Sequence, residues 1–210
     1  MGNSLKATIA LCGILVGAGW AQAAPFCDNS SLRGQYAFTL QGMTLGVLDP
    51  PTDLTATPPQ PGMLHPFASP LPVTAVGQFT FDGHGSFTRV DFNMSNGTPT
   101  IFSTTPLTGD DFRTGQTGTY NVSSDCTGNI VLDVPPSPNP REIHIAIAVV
   151  GYGQRVFGVV ASEHAPSLPP LIVPAGTSCA PPPAGTGCYL GDNILLELTR
   201  NASRQQDEPR

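Results

Sequence analysis

Glu142 and His144 stand two residues apart in the run REIHIAIAVV, and Arg155 follows in the next apolar run, QRVFGVVA. In an extended strand residues at i and i+2 share a face. A carboxylate beside an imidazole can orient the ring and shift its pKa, which is how a general base is made. That trio would suit an isomerase or hydrolase working in the mouth of a barrel. The competing arrangement is a solvent-facing ion pair, because Ile143, Ile145, Ile147 and Val149 mark the opposite face as core. The second arrangement is preferred, so Glu142, His144 and Arg155 stand as candidates and no catalytic residue is assigned.

The other reactive side chains form no recognised set. Glu163-His164 reads as a surface pair, His65 and His84 as solvated turn histidines, and Asp110-Asp111 lacks the spaced oxygen ligands of a calcium loop. No G-x-S-x-G, H-E-x-x-H, G-x-G-x-x-G or C-x-x-C occurs. Four cysteines follow residue 23: Cys27, Cys126, Cys179 and Cys188. An even number in an exported chain reads as two disulfides with three possible pairings. The short Cys179–Cys188 loop is the local choice and leaves Cys27 to Cys126. Their spacing does not match paired zinc ligands, so neither metal nor cofactor is expected.

The first residues set the compartment. Lys6 and the amino terminus are basic, residues 7–19 are apolar and uncharged, and Ala21-Gln22-Ala23 offers small residues to a peptidase. This is the order of a secretory signal, with cleavage expected after Ala23. The apolar run falls short of the roughly 20 residues a spanning helix needs. A secreted or periplasmic protein is expected, with a signal peptide at 1–23, one β domain at 24–200 and a disordered polar tail at 201–210. Cleavage would remove the only lysine, the only tryptophan (Trp20) and the fifth cysteine (Cys12), and would take the formal charge from −6 to −7. Eight scattered arginines and fifteen acids make nucleic acid or an anionic membrane surface an unsuitable partner.

The elements that must carry these residues are strands. Glycine and proline number 23 each, which leaves no room for long helices. Short alternations bounded by Gly, Pro, Asn and Asp predict strands at 35–41, 73–82, 85–92, 99–104, 117–123, 128–134, 141–150, 154–162 and 193–200. Asp82-Gly83 and Gly151-Tyr152-Gly153 read as hairpin turns. Proline-rich stretches at 49–72, 135–140 and 166–183 read as loops. The unit Gly-polar-aromatic recurs at Gly34-Gln35-Tyr36, Gly77-Gln78-Phe79 and Gly118-Thr119-Tyr120, and reads as a repeated way of starting a core strand. The fold class is all-β: an antiparallel eight- to nine-stranded barrel or a sandwich.

SLRGQYAFTLQG at 31–42, GQFTFDGHGSF at 77–87 and GTYNVSSDCTGNI at 118–130 together resemble a group of uncharacterised small exported bacterial proteins. The resemblance covers about half the chain after the leader and implies export and a β fold. The Gly-x-aromatic opening and the strand number are also similar to calycin-type barrels, though Tyr36 stands where the lipocalin pattern has tryptophan.

These readings favour a non-enzymatic binding or structural module over an enzyme. Apolar residues on both faces of 145–161 read first as a central hairpin covered by a proline-rich loop, with a small apolar ligand or self-association through that hairpin as the sharper alternative. An outer-membrane barrel ranks last, because the strands are short and aromatics are only 7% of the chain. No stable membrane insertion is expected once the leader is removed.

Overall fold

The computed structural model describes residues 26–49, 62–99, 112–134, 141–165 and 187–201. The predicted leader, Asp110-Asp111, Cys179, the polar tail after Asn201 and most of the proline-rich stretches lie outside them. A 3-10 turn at Asn29–Ser31 precedes nine strands: β1 (Arg33–Leu48), β2 (Leu64–Asp82), β3 (Ser86–Ser95), β4 (Thr98–Pro99), β5 (Arg113–Val122), β6 (Thr127–Val134), β7 (Arg141–Val150), β8 (Arg155–Ala165) and β9 (Cys188–Arg200).

Every pairing is antiparallel. The sheet runs β2-β1-β9-β8-β7-β6-β5-β3-β4, and β2 also pairs with β3. That last pairing closes eight strands into an up-and-down barrel, with β4 attached to β3. The fold is therefore a calycin-like barrel and not a sandwich. Closure removes the sheet edges from Val73 to Phe81 of β2, where it pairs with β3.

One predicted loop is partly a strand. Leu64–Pro72, placed in the first proline-rich stretch, forms the first half of β2. Prolines 66, 70 and 72 argue against a central strand because each lacks a donor. They are accommodated because β3 pairs with β2 only from Val73 onward, leaving this half an edge. His65 is accordingly in a strand, 2.8 Å from Asp49, and not alone in a turn. Of the strand predicted at 99–104, only its first residue is described, at the end of β4.

The recurring glycine has a steric reason at two of its positions. A Cβ on Gly118 would lie 2.2 Å from the Val131 carbonyl oxygen and 2.4 Å from Cζ of Phe87. One on Gly77 would lie 2.1 Å from the Val90 oxygen and 2.8 Å from Cε1 of Phe38. Glycine there lets neighbouring strands and inward rings approach closely, which favours a tightly coiled sheet. Phe38, Phe79, Phe81, Phe87, Tyr36 and Tyr120 interlock below, with ring centroids 5.0–5.6 Å apart. These rings belong to one buried apolar cluster in this half of the interior.

The two ends differ. Short turns connect β2–β3, β5–β6 and β7–β8 at one end, and the segment before β1 plugs it. Leu32 is fully buried there, and the Tyr120 hydroxyl lies 3.0 Å from the Asn29 carbonyl oxygen and 2.9 Å from that of Leu32. The Tyr36 hydroxyl donates to the Gly153 oxygen at 2.6 Å. The expected Cys27–Cys126 disulfide staples the plug to the β5–β6 turn, with Cα atoms 5.0 Å apart. At the predicted β2–β3 turn, Asp82 Oδ1 accepts from the backbone N–H groups of His84, Gly85 and Ser86 at 2.7–3.0 Å. The β1–β2, β4–β5, β6–β7 and β8–β9 connections all leave from the opposite end.

Candidate functional site

Toward the end that carries the long connections, the apolar core gives way to a layer of polar side chains facing inward. Asp91 and Gln116 are fully buried, Arg89, Glu163 and Thr44 nearly so, and Arg113 is 9% exposed. Arg141 and Asp192 join them from β7 and β9. A second apolar cluster, Val47, Phe67, Ala165, Cys188 and Leu190, lies beyond the layer.

Bulges build this layer. Register shifts occur in both ladders of β1 between Thr44 and Gly46, and in β3–β5 between Arg89 and Asp91. Two more occur in β7–β8 between His144 and Ile145 and in β8–β9 between Val159 and Glu163. All five fall at the level of the charged residues, while the β2–β3, β5–β6 and β6–β7 ladders are regular. A bulge gives one strand an extra residue and turns the following side chains to the other face. In β8, Val156 and Val160 face inward; Ser162 then sits opposite His144, with Val160 opposite Ile145, so Ala161 is the extra residue. Glu163 thereby turns into the barrel. In β5, Gln116 and Tyr120 follow strict alternation, and Arg113 joins them across Gly115, whose φ is +76°.

Asp91 is the hub of one half. Arg113 donates to both its oxygens, at 2.7 Å from Nε and 2.5 Å from Nη2. Gln116 Nε2 donates at 2.6 Å and Arg89 Nη2 at 2.5 Å. The Arg89 guanidinium also lies over the rings of Phe38 and Phe79, 4.6 and 5.4 Å from their centroids, where the ring faces favour a cation. Burial alone would raise the Asp91 pKa, but the hydrogen bonds from Arg113 and the two guanidinium charges hold it below the ordinary range. Burial lowers the Arg89 pKa to about 10, with the charge of Asp91 opposing that shift and that of Arg113 adding to it.

The other half is a carboxyl pair. Thr44 Oγ1 donates to Asp192 Oδ1 at 2.7 Å. Arg141 Nη1 lies 3.0 Å from Glu163 Oε1 but off the hydrogen-bonding direction, so that oxygen has ion-pair proximity without a hydrogen bond. Burial first, and then the charge of Glu163, push the Asp192 pKa up to about 7. Asp192 Oδ2 and Glu163 Oε1 are buried without a hydrogen-bond partner, and a proton held by the pair would supply a donor there. Two electrostatically linked carboxyl groups beside an arginine can donate or accept a proton at neutral pH. The arginines can hold an anion. Buried Arg89 Nε, Gln116 Oε1 and Asn93 Oδ1 have no protein partner.

The residues singled out from sequence lie elsewhere. Glu142 and His144 do meet, at 2.6 Å, on the outer face of β7 with both side chains nearly half exposed. Arg155 is not with them. It pairs across the ladder with Val150 at the other end of the hairpin and bonds Glu197. The acid–base trio in a barrel mouth is therefore not assembled. Glu163, expected on the surface, is a correction, and the bulge at Ala161 is its cause. Ala146, Ala148, Phe157, Val159 and Leu195 form an exposed apolar strip on the outer face, with Val159 opposite both Ala146 and Leu195.

No family model, curated protein or solved structure matches this chain. Among the described residues, no group of three His, Cys, Asp or Glu side chains could hold a metal ion. Cys188 is disulfide-bonded, and its expected partner Cys179 lies outside the described residues.

Arg89, Asp91, Arg113, Gln116, Arg141, Glu163 and Asp192 were not legible as a site. One signal was present: Arg89 and Asp91 stand at i+2 and i+4 from Phe87, the aromatic that opens β3. Alternation from a core aromatic would have turned both inward. For Arg113 and Glu163 alternation misleads, because each lies past a bulge.

Proposed function

We propose that this protein is exported and acts as a non-enzymatic binding module, with the ionisable layer in the barrel as its recognition site. The coincidence of all five register shifts with that layer carries the reading. Bulges disrupt ladder hydrogen bonds, and burying Arg89, Asp91, Arg113 and Glu163 costs desolvation energy that an apolar core would avoid. A scaffold that needed only stability gains nothing from either. The layer faces the end with the long connections, where barrels of this kind present their binding loops. The expected small apolar ligand fits less well than a small polar one, because the deep half of the barrel is filled by its own aromatic rings. Residues 1–23 support export.

Isotope-labelled protein titrated with pools of small sugars, amino acids, amides and short-chain acids tests this reading. Ligand-dependent amide shifts should concentrate on β3, β5, β8 and β9 around the layer. Shifts confined to the outer face of β7–β8, or none with any pool, would contradict it.

The exposed strip through Phe157, Val159 and Leu195 supports self-association as a second, compatible reading. Sedimentation velocity of the wild type against Val159→Glu should then show a loss of dimer. Monomer alone in both would remove the idea. An outer-membrane barrel fits poorly: such barrels are apolar outside and polar inside, whereas this one has an aromatic core and Glu142, His144, Arg155 and Glu197 on its outer face.

A further inference from the structure

Resting on the binding reading above, we infer that the layer takes a small carboxylate-bearing ligand between Arg141 and Arg89, and that its uptake is linked to a proton on the Glu163–Asp192 pair. Three of the eight arginines that follow the leader converge in one layer. Guanidinium groups offer a planar fork that matches a carboxylate. Arg113 spends its fork on Asp91, but the other two do not. Arg89 is 3% exposed, and its buried Nε has no acceptor. Arg141 is 36% exposed, lies at the long-connection end of β7 and meets Glu163 without a hydrogen bond. An unpaired buried donor and a half-engaged guanidinium on facing strands are what an incoming carboxylate would complete.

The proton link follows from what faces Asp192. β1 presents Thr44, β8 presents Glu163 and β7 presents Arg141. Across the interior β3 presents Arg89 and Asp91, and β5 presents Arg113 and Gln116. The inward residues of β2 and β6 at this level, Val73, Ala75, Leu132 and Val134, carry no charge. With Asp192 protonated, an arriving anion meets one charged carboxylate beside Arg141. With Asp192 ionised it meets two, and like charges at this range repel strongly inside a barrel. Anion binding therefore favours the protonated pair, and by linkage the pair's proton favours the anion. Unpartnered buried atoms are also satisfied by ordered water, which is the competing account.

Calorimetric titration of the full chain with benzoate tests the inference, with benzamide as the neutral control. It is run at about pH 5.5 and about pH 8.5, either side of the Asp192 transition, in buffers free of carboxylate. Benzoate should bind about tenfold more tightly at the lower pH, and benzamide should not bind. Repeating the titration at about pH 7.5, between the free and the ligand-raised transition, in two buffers of different ionisation enthalpy should show net proton uptake, a readout that needs no variant. Asp192→Asn, close in shape and permanently neutral, should keep binding at the higher pH. Arg141→Gln should lose it at both. Benzoate binding of equal strength at both pH values, without proton uptake, would overturn the proton link while leaving the binding reading intact. Benzamide binding in place of benzoate would overturn the ligand class alone. No binding of either, with small sugars and amino acids also silent, would leave water as the occupant and overturn both.

Discussion

Asp91 and Asp192 are both buried carboxyl groups, but their surroundings push them in opposite directions. Asp91 receives four hydrogen bonds from two arginines and Gln116 and stays ionised. Asp192 faces another carboxylate and takes up a proton near neutral pH. Replacing Asp91 by Asn would leave Arg89 and Arg113 buried without a counter-charge. It should cost about 3–5 kcal/mol in urea unfolding. The pH dependence follows from the two shifts. The raised Asp192 pKa means that its contribution is complete below the ordinary carboxylate range and is lost as pH rises toward and through about 7. The lowered Asp91 pKa means that its contribution is present at neutral pH and is lost on acidification below that range. Stability should therefore decline as pH rises through 7, and Asp192→Asn should flatten that limb. Denaturant midpoints measured across pH check this, and an unchanged limb in the variant would locate the titration elsewhere.

At the level of elements, strands were readable wherever alternation ran unbroken. β6 and β7 were anticipated nearly to the residue, because Ile130-Leu132-Val134 and Ile143 through Val149 alternate with smaller or polar partners. The first half of β2 was not, because proline masks an edge strand. Bulges were invisible, since one extra residue leaves no mark in a pattern of single letters. The candidate site depends on bulges, so it was hidden together with them. The glycine unit was legible as a repeat but not as a steric requirement. Gly118→Ala should force Cβ against Phe87 and the Val131 carbonyl and cost about 2–3 kcal/mol. A thermal melt within error of wild type would show that the strands can shift to accept it.

The whole molecule divides along its axis into a plugged, aromatic half and a charged half from which the long connections leave. The Cys27–Cys126 bridge belongs to the first half and closes a sequence separation of 99 residues. Replacing both cysteines with serine should cost about 4–5 kcal/mol on the chain-entropy relation. It should leave the layer's pH response unchanged. The proposed export predicts cleavage after Ala23, so amino-terminal sequencing of the mature protein should begin at Ala24. The stability of a barrel whose layer has been made apolar distinguishes a layer kept for recognition from one that holds the fold. Arg89→Met, Asp91→Val, Arg113→Met and Gln116→Leu combined remove one half of it at similar volume. Denaturant unfolding should show a barrel as stable as wild type or up to about 4 kcal/mol more so, because desolvation is relieved. A barrel several kcal/mol less stable would mean that the charged layer is structural and is not kept for recognition.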